Sequence, residues 1–427
     1  MSQLMNIFIY MVVGYFFILI ITQYIAIKNS ERFIDSQLNF EPRVLQKQVV
    51  CHNRRKLVLI IPVLEEENVV ERTIQHFKNI LNKEIILKII FVTTEKEGYP
   101  EKNATFQKIN PHVNENIFIE HYPHKDGNKA DQINYVVIKY ADNKEYDNIS
   151  TYYGIFDADS LPDIRGFEYL LTDNSDDVIY QMFSVYSTNC KNLNLFNKAS
   201  AVFQTRWTMS YELSAAIENY INKKVSHFSY TIGHGLFVRK DYMEKNPFSS
   251  GILAEDILFG YTAISKGICI KPIPFFDYCS SSSSLSVHIQ QSARWYAGDL
   301  FSLLKVMKHS IKNRDIKYIT LQLKRLFHIF QWSFGSLIIS LVIVLSLSNQ
   351  KIWNLIMVFI TMFLYIFLIH APIIKRFFKS EDISINIYIA LVFKSFVNCA
   401  GPLYSNWVMI SGMLGYSKEL SFKTPKS

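Results

Sequence analysis

Uncharged apolar residues gather in blocks toward the two ends of this 427-residue chain, and the stretch between them alternates short apolar runs with amphipathic segments. Ile7 to Ile27 is uncharged and rich in Ile, Phe, Tyr and Val, long enough for a bilayer core that takes about 20 helical residues. Its start carries no basic residue and its apolar run continues through bulky side chains, which predicts a retained anchor and not a cleaved signal. Phe330 to Leu347 and Ile352 to Ile374, parted by a polar break at Asn349, Gln350 and Lys351, predict a membrane hairpin. In Ile385 to Gly415 the pattern is interrupted by Lys394, Asn398, Pro402 and Asn406. A lysine in mid-span costs roughly 2.5 to 3.5 kcal/mol and a proline interrupts a helix. A re-entrant or interfacial segment is therefore expected there, ahead of a fourth span.

From about Lys28 to Arg325 the sequence is globular. "KLVLIIPV" at 56–63 is nearly continuous and apolar, the pattern of a strand buried on both faces. The amphipathic "EENVVERTIQHFKNIL" follows, with Val69, Ile74, Phe77 and Leu81 at helical spacing. Next come "IILKIIFV" at 85–92, "IFIEHY" at 117–122 and "YYGIF" at 152–156, with the helical "KADQINYVVIKYA" before the last. This alternation predicts an α/β fold, a doubly wound and mainly parallel sheet with flanking transmembrane helices. The expected division is an anchor at 1–28, a catalytic domain at 29–300, a basic interfacial segment at 301–328, the hairpin at 329–375, and a third apolar segment with a basic tail at 376–427.

Much of the formal charge of +8 sits beside the apolar blocks: Lys305, Lys308, Lys312, Arg314, Lys317, Lys324 and Arg325, then Lys375, Arg376 and Lys379. Such flanks mark the cytosolic side and favour membrane lipid as a partner; no nucleic-acid motif accompanies them, so nucleic acid is not expected. The five cysteines, Cys51, Cys190, Cys269, Cys279 and Cys399, are odd in number and without paired spacing, against both a zinc site and a disulfide framework. A cytosolic domain on an integral protein of the plasma membrane is the consequence.

"YYGIFDADSLPD" at 152–163 delivers Asp157 and Asp159 at the end of a buried strand, where a parallel sheet opens its ligand crevice. Two carboxylates so placed can bracket one hard cation, or they can simply begin a loop. A helix-loop-helix calcium site is excluded, because Leu161 and Pro162 occupy its ligand and glycine positions even though Glu168 stands twelve along.

Taken in order, "IIPVLEEE", "DGNKADQIN", "DADS", "GHGLFVRK", "AEDILFG" and "QSARW" resemble the membrane-bound family 2 glycosyltransferases, the group of cellulose, chitin and hyaluronan synthases and many exopolysaccharide enzymes. The resemblance covers roughly residues 56–300. It implies a GT-A fold, a nucleotide-sugar donor with a UDP-sugar foremost, Mg2+ or Mn2+, inversion at the anomeric carbon, and a growing glycan or lipid-linked acceptor. By the same resemblance Asp157 and Asp159 match the DxD element that holds the metal on the donor diphosphate. Asp256 matches the last acid of the TED element, the general base; on the residues alone, Glu255 and Asp256 could equally open a helix. Gln291, Arg294 and Trp295 match QxxRW, with Arg294 toward the diphosphate and Gln291 and Trp295 toward the acceptor. Gly233, His234 and Gly235 match the glycine-containing element before the base and are assigned to the acceptor, His234 being either a donor-pocket contact or a packed histidine. Lys129 matches a GKA-like lysine that touches the donor, or is an exposed lysine at a helix start.

The chain departs from the family pattern at three places. Ser292 stands where the stricter QxxRW form has Gln or Arg, which bears on processivity. Glu66 matches the acid of the PxxNE element, but Glu65 stands where asparagine is usual. After the second strand "VTTEKEG" offers Thr93, Thr94 and Glu95 in place of a pair of aspartates, and Glu95 is assigned to the donor in their stead. The serine run Ser280 to Ser284 reads as a flexible loop, and the tail "SFKTPKS" resembles a segment that closes over the donor site in related synthases. The competing functions are a membrane-bound nucleotidyltransferase, disfavoured by the lack of a Gly-rich phosphate loop, and an inactive scaffold, disfavoured by Asp159, Asp256 and Arg294.

Overall fold

The computed structural model describes residues 2–37, 55–81, 88–143, 149–348, 352–379 and 383–413. Residues 85–87 of the second apolar run, the break at Asn349 to Lys351 and the tail "SFKTPKS" lie outside them.

Four strands, β1 (Lys56–Pro62), β2 (Lys88–Thr94), β3 (Ile117–Tyr122) and β4 (Thr151–Ile155), run parallel in the order β3-β2-β1-β4. The continuous apolar pattern of β1 has a direct cause: its two faces enter two cores. Leu57, Leu59 and Ile61 meet Ile74 and Phe77 of the helix Val70–Leu81. Val58 and Ile60 meet Ile133, Val136 and Val137 of the helix Lys129–Lys139. Beyond β4 the sheet continues through β5 (Leu161–Pro162), β6 (Ile179–Tyr186), β7 (Leu236–Arg239) and β8 (Lys271–Cys279), in the order β4-β7-β6-β8-β5. β7 is antiparallel to both β4 and β6, whereas β6 and β8 are parallel. The result is the mainly parallel, doubly wound sheet that the alternation predicts, with a mixed half that it does not.

Among the described residues, four helices are long and apolar enough to cross a membrane: Gln3–Gln37, Ile316–Ser348, Ile352–Phe377 and Ile387–Gly412. The first extends past the predicted anchor because it does more than anchor. Ile20, Ile27 and Ile34, seven residues apart on one face, are buried against Val202 and Met209 of the catalytic domain, and Ser30 Oγ donates to the Met209 carbonyl at 2.8 Å. The fourth is built of two helical segments, Ile387–Val397 and Ala400–Met413, parted by a turn at 398–399. Lys394 is buried against the Phe203 ring, and Pro402 falls in the first turn of the helix Ala400–Met413, where no backbone donor is lost.

Candidate active site

Asp157 and Asp159 follow β4 at its carboxyl end, and Lys129 begins the helix beside them. That start is fixed by a reciprocal cap: Asn128 accepts from the Asp131 amide at 3.2 Å, and Asp131 accepts from the Asn128 amide at 2.7 Å. Lys129 Nζ is not exposed at the surface but donates to the Asp157 carboxylate and, at 2.7 Å, to the Gly233 carbonyl. Burial works against ionised Asp157, but Lys129, His234 and Arg294 outweigh it and hold the carboxyl below its usual range. Asp159 goes the other way, raised first by burial and then by the charge of Asp157.

Glu255 and Asp256 do open a helix, Glu255–Ser265, and the same placement aims Asp256 at Lys129 across Gly233. A methyl group on Gly233 would come within 2.8 Å of Asp256 Oδ2 and 3.2 Å of Lys129 Nζ, so the missing side chain is what leaves room between them. The helix is drawn onto the segment before Gly233 by Thr231 Oγ1, which donates to the Asp256 carbonyl at 2.6 Å. Burial raises the Asp256 carboxyl, and burial together with Asp256 pushes Glu255 up to about 7.

His234 is both packed and placed in the site. Its Nδ1 is 2.8 Å from a carboxylate oxygen of the fully buried Asp277 on β8, which also accepts from Ser160 Oγ at 2.7 Å. Burial would favour neutral imidazole, but the Asp277 bond prevails and lifts His234 to about 9, so it is charged near neutrality. Cys279 completes a buried trio whose ligand atoms lie within 4.8 Å of one another. Since Nδ1 is committed to Asp277, the trio reads as an ion pair beside a thiol. Asp277 was missed in the sequence, although one acid within the apolar strand "KPIPFFDYC" is a signal that could have found it.

Lys129, Asp157, Asp159, Gly233, His234, Asp256, Gln291, Arg294 and Trp295 all line one cavity of about 1510 Å3. Arg294 makes no hydrogen bond or ion pair within the protein among the described residues, and the Trp295 ring stands 6.4 Å from that of Tyr186. Three candidates fall outside the cavity lining. Gly235, at φ +62°, uses its missing side chain against the Met182 carbonyl, where a Cβ would come to 2.5 Å. Glu95 pairs with His121 Nε2 at 3.0 Å. Glu66 is buried after β1, its amide bonded to Thr105 Oγ1 at 3.0 Å. The neighbouring Glu65 sits at φ 57°, a left-handed position that asparagine tolerates better than glutamate. The serine run is a loop in which Ser281 and Ser282 are buried, with Ser282 Oγ donating to Gln291 Oε1 at 2.7 Å.

Residues 155–371, a little over half of the chain, match the family described as glycosyl transferase family group 2, and the chain belongs to this family. No curated protein matches it. Among solved structures, the mannosyltransferase PcManGT from Pyrobaculum calidifontis, in complex with GDP-Man and Mn2+, is similar over 93% of this chain and 99% of its own, with 11% identity and a TM-score of 0.43. A mycobacterial protein is similar over 56% of this chain and 73% of its own, with 11% identity and a TM-score of 0.33.

Proposed function

We propose that the protein is an inverting, metal-dependent glycosyltransferase that moves a hexose or N-acetylhexosamine from a nucleotide sugar, a UDP-sugar foremost, to a hydroxyl of a growing glycan or lipid-linked acceptor on the cytosolic face of the plasma membrane. One observation carries the reading: a carboxylate raised by burial (Asp256), a pair of acids (Asp157 and Asp159) and a guanidinium with no ion pair among the described residues (Arg294) line a single cavity at the carboxyl ends of parallel strands.

The two acids fit a hard divalent cation, because Asp159 is left crowded by Asp157 in a buried setting, and a dication relieves that repulsion. Asp157 and Asp159 would hold Mg2+ or Mn2+, which when bound neutralises charge on the departing diphosphate. Arg294 offers two parallel donors to the same oxygens. Asp256 takes the proton of the acceptor hydroxyl as its oxygen bonds to the anomeric carbon and the carbon–oxygen bond to diphosphate breaks on the opposite face, inverting configuration. Trp295 presents a ring face to the acceptor sugar. The test is a screen of nucleotide sugars on the full-length protein in lipid, with Mg2+ or Mn2+, reading released nucleotide and binding by calorimetry. One donor should bind in a metal-dependent way, and Asp159→Ala should abolish that dependence; donor affinity that ignores both metal and Asp159 would overturn the assignment.

A further inference from the structure

The cavity that holds the catalytic acids does not end at the domain boundary. It continues between the membrane helices, where its walls are aliphatic: Val12, Ile20, Val342, Val358 and Ile366. Two buried basic residues line the same cavity. Arg206, on the helix Leu195–Trp207, has its guanidinium over the rings of Phe203 and Trp207 and donates to Gln23 Oε1 at 3.0 Å, but its buried Nε has no partner. Lys394 lies over the same Phe203 ring, 5.6 Å from its centre, and its one hydrogen bond is to Asn398 Oδ1 at 3.4 Å. Neither has a carboxylate partner among the described residues. His288, also on the cavity wall, is buried with both ring nitrogens unpartnered. Two buried cations around one ring repel each other and have given up their water, a cost met when an anion sits between them. An ionisable residue at membrane depth is most often there for a ligand.

We propose that this cluster binds the phosphate of a lipid whose chain lies along the aliphatic end of the cavity, so that the acceptor hydroxyl belongs to a saccharide carried on a phosphate-bearing lipid. This deepens the transferase reading and rests on it for the acceptor's role, but not for the binding itself. An aliphatic wall suits a hydrocarbon chain, whereas a sugar polymer needs ring faces and hydrogen-bonding groups.

Binding of farnesyl phosphate, farnesol and inorganic phosphate to the full-length protein in nanodiscs, without nucleotide, tests this. Farnesyl phosphate should bind at least about tenfold more tightly than farnesol, the scale of one charge-assisted contact, and inorganic phosphate should compete only weakly. Arg206→Gln with Lys394→Met should remove the preference, while Arg206→Lys keeps part of it. Equal affinity of wild-type protein for farnesyl phosphate and farnesol would overturn the proposal whether or not the variants fold, and so would equal affinity for farnesyl phosphate and inorganic phosphate. Failure to bind any nucleotide sugar, by contrast, would overturn only the transferase reading.

Discussion

Gly260, one turn into the helix that carries Asp256, is the position where a single methyl group should separate catalysis from folding. A Cβ there would stand 2.8 Å from both the carbonyl carbon and the Cα of Tyr230, and nearer still to the Thr231 amide nitrogen. Ordinary contact begins near 3.4 Å and the Thr231 nitrogen sets the limit, so helix and segment must part by about 1 Å, and no rotamer change can absorb it because the opposing atoms are backbone. Overpacking of this kind costs about 1–3 kcal/mol, and the gain from replacing helical glycine with alanine returns about 1 kcal/mol. Gly260→Ala should therefore lose at most about 2 kcal/mol. Asp256 rides on the displaced helix, and its distance to Gly233 and Lys129 is set by the contact being forced apart. A misplacement near 1 Å lowers turnover by about 100-fold. The assay is nucleotide release alongside thermal unfolding and nucleotide binding in the same detergent. Wild-type turnover in a normally folded Gly260→Ala protein would refute the claim that this contact positions Asp256.

Three further outcomes are expected. Asp299 pairs with Arg325 in a buried cluster with Tyr261, so Asp299→Ala strands a buried guanidinium and should cost about 3–5 kcal/mol, whereas the double change Asp299→Leu with Arg325→Met should be far milder; thermal unfolding compares them. His234 is raised to about 9 from an ordinary 6.5, so its ion pair contributes stability in full below about pH 6.5 and loses it as pH rises through about 9. His234→Gln should flatten that alkaline limb of the melting-temperature profile, and an unchanged limb would exclude the pair as its source. Gly401 lies against Ser292, where a Cβ would come within 2.5 Å, so Gly401→Val should push the last helix off the Arg294 helix (Leu285–Lys312) and lower transfer to acceptor more than nucleotide binding.

The parallel half of the sheet was legible because β1, β2 and β4 are buried on both faces and therefore read as apolar runs, while the half-buried edge strand β3 matches the expected Ile117–Tyr122 to the residue. The mixed half was not, since β7 has only four residues and β5 two, too short for periodicity to show. In the candidate site, Asp157, Lys129 and Asp256 stand at element starts or ends and Arg294 within the long helix Leu285–Lys312, and all four were picked out by the ordered motifs around them. The meeting of Asp277 with His234, and of Arg206 with Lys394 around the Phe203 ring, could not be read from local sequence: each is made by tertiary packing, across 43 residues in the first case and 188 in the second. Glu66 and Glu95 show the opposite limit, where matching position did not bring the side chain to the cavity.

The most direct measurement is nucleotide release by wild-type protein and by Asp256→Asn, each in nanodiscs with the donor found by screening and with Mg2+ or Mn2+. The account predicts that the variant still binds donor and metal but turns over about 100-fold or more slowly, the scale of a lost general base. Turnover by Asp256→Asn within a fewfold of wild type would contradict it.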